Sequence, residues 1–233
     1  MGDGSTVTVT FQAMLPDVPL PYGSDVNLLH WMVSKAIDNN SPFVSWETAM
    51  EYLRWADLKK GGRTVKQLRE KYKRVAGMAV TIVRSGAAKD EENFILPIIE
   101  ASRVPRSVKP ESSQAIEANP NKPRGFQFSE RFFNDFVAHN VPMLKAVLVI
   151  VGEKPQLQQY IGFLGWRSWA ASSASTIPWS DLREQLWAQD TNVRRIRQRF
   201  KETIQALRIA WPELQAEARP RGLWIARRTR VFK

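Results

Sequence analysis

The chain has 233 residues, 34 of them Lys or Arg and 23 Asp or Glu, for a formal net charge of +11. It carries no Cys and two His, which removes disulfides, thiolate nucleophiles and Cys- or His-built metal centres. With 43% apolar residues and nine Trp, wholesale disorder is excluded; with no signal-like start and no apolar run near the roughly 20 residues of a membrane span, the expectation is a soluble, cytoplasmic protein.

Charge is unevenly spread. Residues 1–58 hold seven acids and two bases, so the large basic excess lies in the rest of the chain. Such an excess favours a polyanionic partner, because each phosphate neutralised releases counterions. Composition alone does not separate DNA-binding, ribosomal and membrane-surface proteins.

In chain order, Thr6 to Phe11 alternates like a strand, and Pro19 to Ser24 is a turn. Val26 to Ile37 has helical spacing, with Ser24 as its expected cap. A second helix is expected from Trp46 to Trp55 after Ser45. Gly61-Gly62 breaks the chain, and a third helix runs from Thr64 to about Val75. Met78 to Val83 and Asn93 to Ile99 read as a hairpin around a charged turn.

Val104 to Gly125 has four prolines and few large apolar side chains, the composition of a linker. The expected organisation is an N-terminal domain at 1–103, a linker at 104–124 and a C-terminal domain at 125–233. In the second half, Phe126 to Ser129 is extended and leads into a helix, Glu130 to Ala138. Pro155 opens a long helix to about Ala171, and Pro178 sits as an N1 proline before Trp179 to Trp187. Asn192 caps a basic helix from Val193 to Trp211, and Leu214 to Ala218 with Leu223 to Arg227 makes the last hairpin.

The halves align. Phe43 to Ala56 answers Thr176 to Ala188, and Lys66 to Arg74 lies over Arg194 to Glu202, with Leu68/Ile196 and Tyr72/Phe200 as matched apolar positions. Helix, short turn, basic helix, hairpin, given twice, is the order of a winged helix-turn-helix. The expected fold class is therefore α+β, two tandem winged helix-turn-helix domains with small β-hairpin wings.

At about 100° per residue, the face opposite Val65, Leu68, Tyr72 and Val75 holds Arg63, Lys66, Gln67, Glu70, Lys73 and Arg74. Opposite Ile196, Phe200, Ile204 and Leu207 lie Arg194, Arg195, Gln198, Lys201 and Gln205. Arg pairs bidentately with guanine and Gln with adenine, whereas Lys more often holds phosphate. A charged stripe is what any surface helix shows; its recurrence in the same element order is what points to DNA. The candidate DNA contacts are these outward bases and amides (Arg63, Lys66, Gln67, Lys73, Arg74, Arg194, Arg195, Gln198, Lys201, Gln205), with Arg197 on the flank and Arg221 in the last turn. The turn Gly86 to Glu92 offers Lys89 as a wing contact, but its three acids repel phosphate. The tryptophans Trp31, Trp46, Trp166, Trp169, Trp179 and Trp211 are assigned to core, and His30 and His139 to structure.

No phosphate-cradling GxxxxGK[ST] loop occurs, no His-hydrophobic-His metal pair, and no nucleophile–base–orienter set. The expectation is a protein that is not an enzyme and needs neither cofactor nor metal.

VPLPYGSDVNLLHWMVSKAI (Val18 to Ile37), GGRTVKQLREKYKRV (Gly61 to Val75), FQFSERFFNDF (Phe126 to Phe136) and IPWSDLREQLW (Ile177 to Trp187), in that order, resemble plasmid-encoded replication initiators of the RepA type. That resemblance implies a sequence-specific DNA-binding protein that recognises repeats (iterons) at a plasmid origin. It implies opening of adjacent AT-rich duplex and recruitment of host proteins, a host initiator and the replicative helicase among them. It makes Arg194, Arg195, Gln198 and Lys201 the leading contacts, with Lys66, Gln67, Lys73 and Arg74 as N-terminal counterparts, and implies a homodimer through the N-terminal domain. A transcriptional repressor or copy-control regulator that never melts its site fits the same residues, and a protein-interaction module is a third class.

Overall fold

In the computed structural model, residues 6–85, 91–104, 124–141, 143–151, 155–186 and 192–227 are described. The chain divides into two units, Met1–His139 and Asn140–Lys233. Among the described residues the protein is a mixed α/β chain with three small antiparallel sheets of three strands each. Among the described residues no helix is long and apolar enough to cross a membrane.

In the first unit, β1 (Thr6–Ala13) pairs with β3 (Met78–Ser85), which pairs with β4 (Glu91–Pro97). Between β1 and β3 come α1 (Asp25–Asp38), β2 (Phe43–Ser45), α2 (Ala49–Trp55) and α3 (Gly62–Ala76). After β4, β5 (Ile99–Arg103) and β6 (Gly125–Phe128) complete a second sheet in the order β2-β6-β5, and α4 (Glu130–His139) follows. An aromatic network holds the core together. Trp31 meets Trp46 edge-on at 5.0 Å, Trp46 meets Tyr72 at 5.6 Å, and Phe126 reaches Trp46 at 6.1 Å. Such pairs stabilise beyond the area they bury.

Two local starts differ from the sequence expectation. The α2 helix begins at Ala49 because the Glu51 carboxylate accepts from the Thr48 and Glu47 backbone N–H groups at 3.1 and 2.9 Å. Trp46 lies before the helix, buried, and its indole donates to the Thr48 carbonyl at 2.7 Å. Ser24 precedes α1 without a side-chain cap bond; its hydroxyl accepts instead from Lys71 Nζ.

The largest difference concerns residues 104–124 and the domain boundary at 125. Arg103 is register partner to Gly125, so the Pro-rich segment joins two adjacent antiparallel strands of one sheet. Residues 105–123 themselves lie outside the described residues. The strand β6 belongs to the first unit because Phe126 and Phe128 are 0% and 1% exposed within its core. The β3–β4 hairpin, expected as the counterpart of the last hairpin, sits in the separate sheet with β1.

The second unit runs α5 (Lys145–Val151), α6 (Pro155–Ala170), β7 (Ser175–Pro178), α7 (Trp179–Gln185), α8 (Val193–Leu207), β8 (Ala216–Ala218) and β9 (Gly222–Ile225), with sheet order β7-β9-β8. Pro178 is the residue before α7 rather than its first helical position. Phe200 packs against Tyr160 at 4.6 Å and Trp179 at 6.0 Å, the counterpart of Tyr72 on Trp46. Trp166, expected in the core, is 49% exposed.

β2-β6-β5 and β7-β9-β8 therefore share one plan: helix, strand, helix, helix, strand, strand, with the first strand bonded to the last. GFQF of β6 and GLWI of β9 show the same burial sequence: buried, buried, intermediate, buried. Both open on a glycine against the first strand's backbone. A Cβ on Gly125 would stand 2.2 Å from the Val44 carbonyl oxygen, and one on Gly222 2.2 Å from that of Ile177. Gly125→Ala and Gly222→Ala should each cost about 1–3 kcal/mol in urea unfolding, since neither backbone can yield cheaply. Gly162→Ala, in α6 with nothing near the added carbon, should instead stabilise by about 0.5–1 kcal/mol.

Candidate nucleic-acid interface

The α8 helix starts where Asn192 Oδ1 accepts from the Arg194 and Arg195 backbone N–H groups at 3.0 and 3.4 Å. Its rotation is fixed by the buried row Ile196, Phe200, Thr203, Ile204 and Leu207. Arg194, Arg195, Arg197, Gln198, Lys201 and Gln205 are all exposed as a result. At about 100° per residue, Arg194, Gln198, Lys201 and Gln205 fall within roughly 60° of one another, a narrow stripe along the helix. Arg195 and Arg197 flank it on either side. No acid lies in the first turn, so the partial positive charge of the helix start adds to that of the arginines. The Gln198 amide donates to Glu202 Oε1 at 2.8 Å, so a base edge meeting Gln198 must share that amide group. Arg221, in the turn before β9, is exposed.

Arg208, the C-cap of α8, continues the stripe and was absent from the sequence candidates. The signal was present: Arg194, Lys201 and Arg208 recur every seven residues, nearly two helical turns.

The matching stripe on α3 divides. Arg63, Lys66 and Gln67, in its first half, are exposed. In its second half, Lys73 Nζ donates to Glu70 Oε1 at 3.1 Å. Arg74, expected among the outward contacts, is instead drawn into the unit. Its Nε donates to Asp25 Oδ2 at 2.6 Å and its Nη2 to Asp25 Oδ1 at 3.1 Å, and the guanidinium lies 4.7 Å over the Tyr22 ring. The two side chains are only 13% and 2% exposed. The bond to Asp25 holds the Arg74 guanidinium above its ordinary pKa, against the opposing pull of burial. Asp25 also accepts from the Tyr22 N–H at 3.0 Å. The helical wheel placed Arg74 outward because it contains no information on the 22–25 turn folding over the end of α3.

Lys89 of the expected wing and residues 228–233 of the basic C-terminus lie outside the described residues. Among the described residues no group of three or more His, Asp or Glu is placed to hold a metal ion. Burial pushes His30 below its ordinary pKa.

No protein-family model and no curated protein sequence matches the chain. Among solved structures it is similar to a crystal structure of RctB domains 2-3, with a TM-score of 0.58 and 10% identity over 97% of this chain and 88% of that one. A second crystal structure of RctB domains 2 and 3 gives a TM-score of 0.58 at 12% identity, over 93% of this chain and 79% of the other. At these identities the likeness is one of fold.

Two outcomes follow for α3. Asp25→Asn leaves the Arg74 guanidinium partly buried without its counter-ion and should lower stability by about 3 kcal/mol, whereas Lys73→Ala should stay within about 0.5 kcal/mol. Burial pushes the Tyr72 hydroxyl up to about 12, with a weaker opposite pull from Ser102. The folded state thus keeps a proton that the unfolded state releases near pH 10. Stability should fall between pH 10 and 12 by at most about 3 kcal/mol. Chemical unfolding of Tyr72→Phe across that window should show a correspondingly flatter loss.

Proposed function

We propose that this chain is a sequence-specific double-stranded DNA-binding protein that acts in replication initiation, through binding rather than catalysis and without a cofactor. The observation that carries the reading is the α8 stripe: arginine, amide and lysine side chains aligned on one exposed face, locked in rotation by the buried, mainly apolar row on the opposite side. The fold likeness to domains of RctB, a replication initiator, supports it from a separate direction. The repeated order of helix, strand, helix, helix, strand, strand supports two winged helices in tandem, with α3 and α8 as the helices that enter the major groove.

In this reading Arg194 and Arg195, at the start of α8, meet base edges, and Arg197, Lys201 and Arg221 hold phosphate. Gln198 and Gln205 supply amides to adenine. Arg63, Lys66 and Gln67 make the lighter contact of the first unit. The target is a set of repeats at a plasmid origin, bound by several copies whose combined bending concentrates at flexible steps and opens AT-rich duplex. A host initiator and the replicative helicase then assemble on the opened site, and the first unit also joins two copies. The setting is the cytoplasm.

Selection of binding sites from a random duplex pool, at physiological salt with competitor DNA, tests the reading. The expected result is one enriched motif, and permanganate reactivity beside tandem copies of it. Enrichment without melting would make the protein a repressor or copy-control regulator; no enrichment would end the sequence-specific reading. On the selected motif, Arg194→Ala should cost about 1–3 kcal/mol and relax preference at one or two positions. Lys201→Ala should weaken selected and random DNA alike and lower the salt slope by about 1.

A further inference from the structure

Beside the stripe, between α8 and β8, the second unit has a groove of about 340 Å³. Its floor is apolar, formed by Ile204, Ala216 and Ala218, and its rim carries Lys201 and Arg208. The one acid on the lining, Glu217, is already engaged: its Oε2 accepts from Arg219 Nε at 2.8 Å, and the Arg219 guanidinium lies 4.6 Å over the Trp224 ring. Lys201, Arg208 and Arg219 against Glu217 leave the surroundings with an excess of positive charge.

We propose that this groove seats one sugar–phosphate strand of bound duplex, with Lys201 and Arg208 holding successive phosphates and the two alanines lying against deoxyribose. The inference rests on the DNA-binding reading above and names the path of one strand through that interface. Its geometry follows from dimensions. A helix with its side chains is about 10–12 Å across and the major groove about 12 Å wide. A helix lying in that groove therefore has a phosphate strand close along each flank. On the β8 flank of α8 the surface is concave, small-residue and cationic, and Lys201 is shared by stripe and groove. Alanines at 216 and 218 keep the floor low; larger side chains there would fill the space. An acidic peptide would meet the same cations, but it would meet them apart from the stripe, whereas a DNA strand beside α8 is continuous with it.

The test uses the full chain and the duplex motif selected from the random pool. Arg208→Ala should weaken binding about tenfold on both selected and random DNA, and reduce the slope of log affinity against log salt by about 0.9. Ala218→Leu, which fills the groove and removes no charge, should also weaken binding. A scan with single neutral methylphosphonate links should find one position that costs the wild type affinity and costs Arg208→Ala nothing further. Thermal unfolding of both variants checks that they fold, and the wild-type scan stands without them. If the wild type binds DNA while both variants keep its affinity and salt slope, or the scan shows no position coupled to Arg208, the strand path is wrong and the DNA reading survives. If the wild type binds no DNA, both fall together.

Discussion

In each unit one backbone approach decides whether the rest can assemble. The strand that follows the first long helix must meet the last strand of its sheet so closely that a β-carbon at Gly125 or Gly222 would collide with a carbonyl oxygen, of Val44 or Ile177. Only glycine, lacking that carbon, permits it. These pairings join segments far apart in sequence, so each carries a loop-closure cost that burial must offset. The buried residues just after the glycines, Phe126 and Phe128 in one unit, Leu223 and Ile225 in the other, supply that burial. Once the sheet is closed, the helix pair between its first and middle strands has a floor. Trp46 and Trp179 then fix the basic helix by packing on Tyr72 and Phe200. The orientation of every outward arginine is downstream of that contact.

The two basic helices share a sequence pattern and differ in electrostatics. On α8, Arg194, Lys201 and Arg208 form an exposed row. On α3 the corresponding far end is committed inside the unit, Arg74 to Asp25 and Lys71 to Ser24. A buried pair with two hydrogen bonds is costly to break once formed. The α3 helix is thus anchored within its own unit by Arg74 and Lys71, and its exposed cationic face shrinks to the first two turns. The acidic balance of residues 1–58 has this as one local use, since Asp25 belongs to that stretch.

Much of the fold was legible in sequence because it rests on periodicity: the two basic helices, the strands read at 6–11 and 78–83, the cap at Asn192. What failed shares a cause. Composition reports that a stretch such as 104–124 is a loop, but carries no information on what the loop connects, and here it spans two paired strands of a single sheet. The short strands β2 and β7 have three and four residues, too few for alternation to register. The repeat that matters most, GFQF against GLWI, shares only a glycine and an apolar spacing. It becomes visible only when burial is known.

The candidate site was legible to the extent that a helix wheel is a complete description of a helix. On α8 it nearly is, because the packing of Phe200 and Ile196 occupies one side and little returns over the other; Arg194, Gln198, Lys201 and Gln205 are where the wheel puts them. On α3 the wheel fails at Arg74, where a neighbouring turn supplies a carboxylate and an aromatic ring from nearly fifty residues away. The same non-local logic governs the groove at Ala216 and Ala218. Nothing in AEA marks it in sequence, since its shape depends on β8 lying beside the last turns of α8. A reading of charge along a helix therefore gives the contacts a helix makes with its own face, while the contacts made with its flank depend on which strand the chain brings beside it.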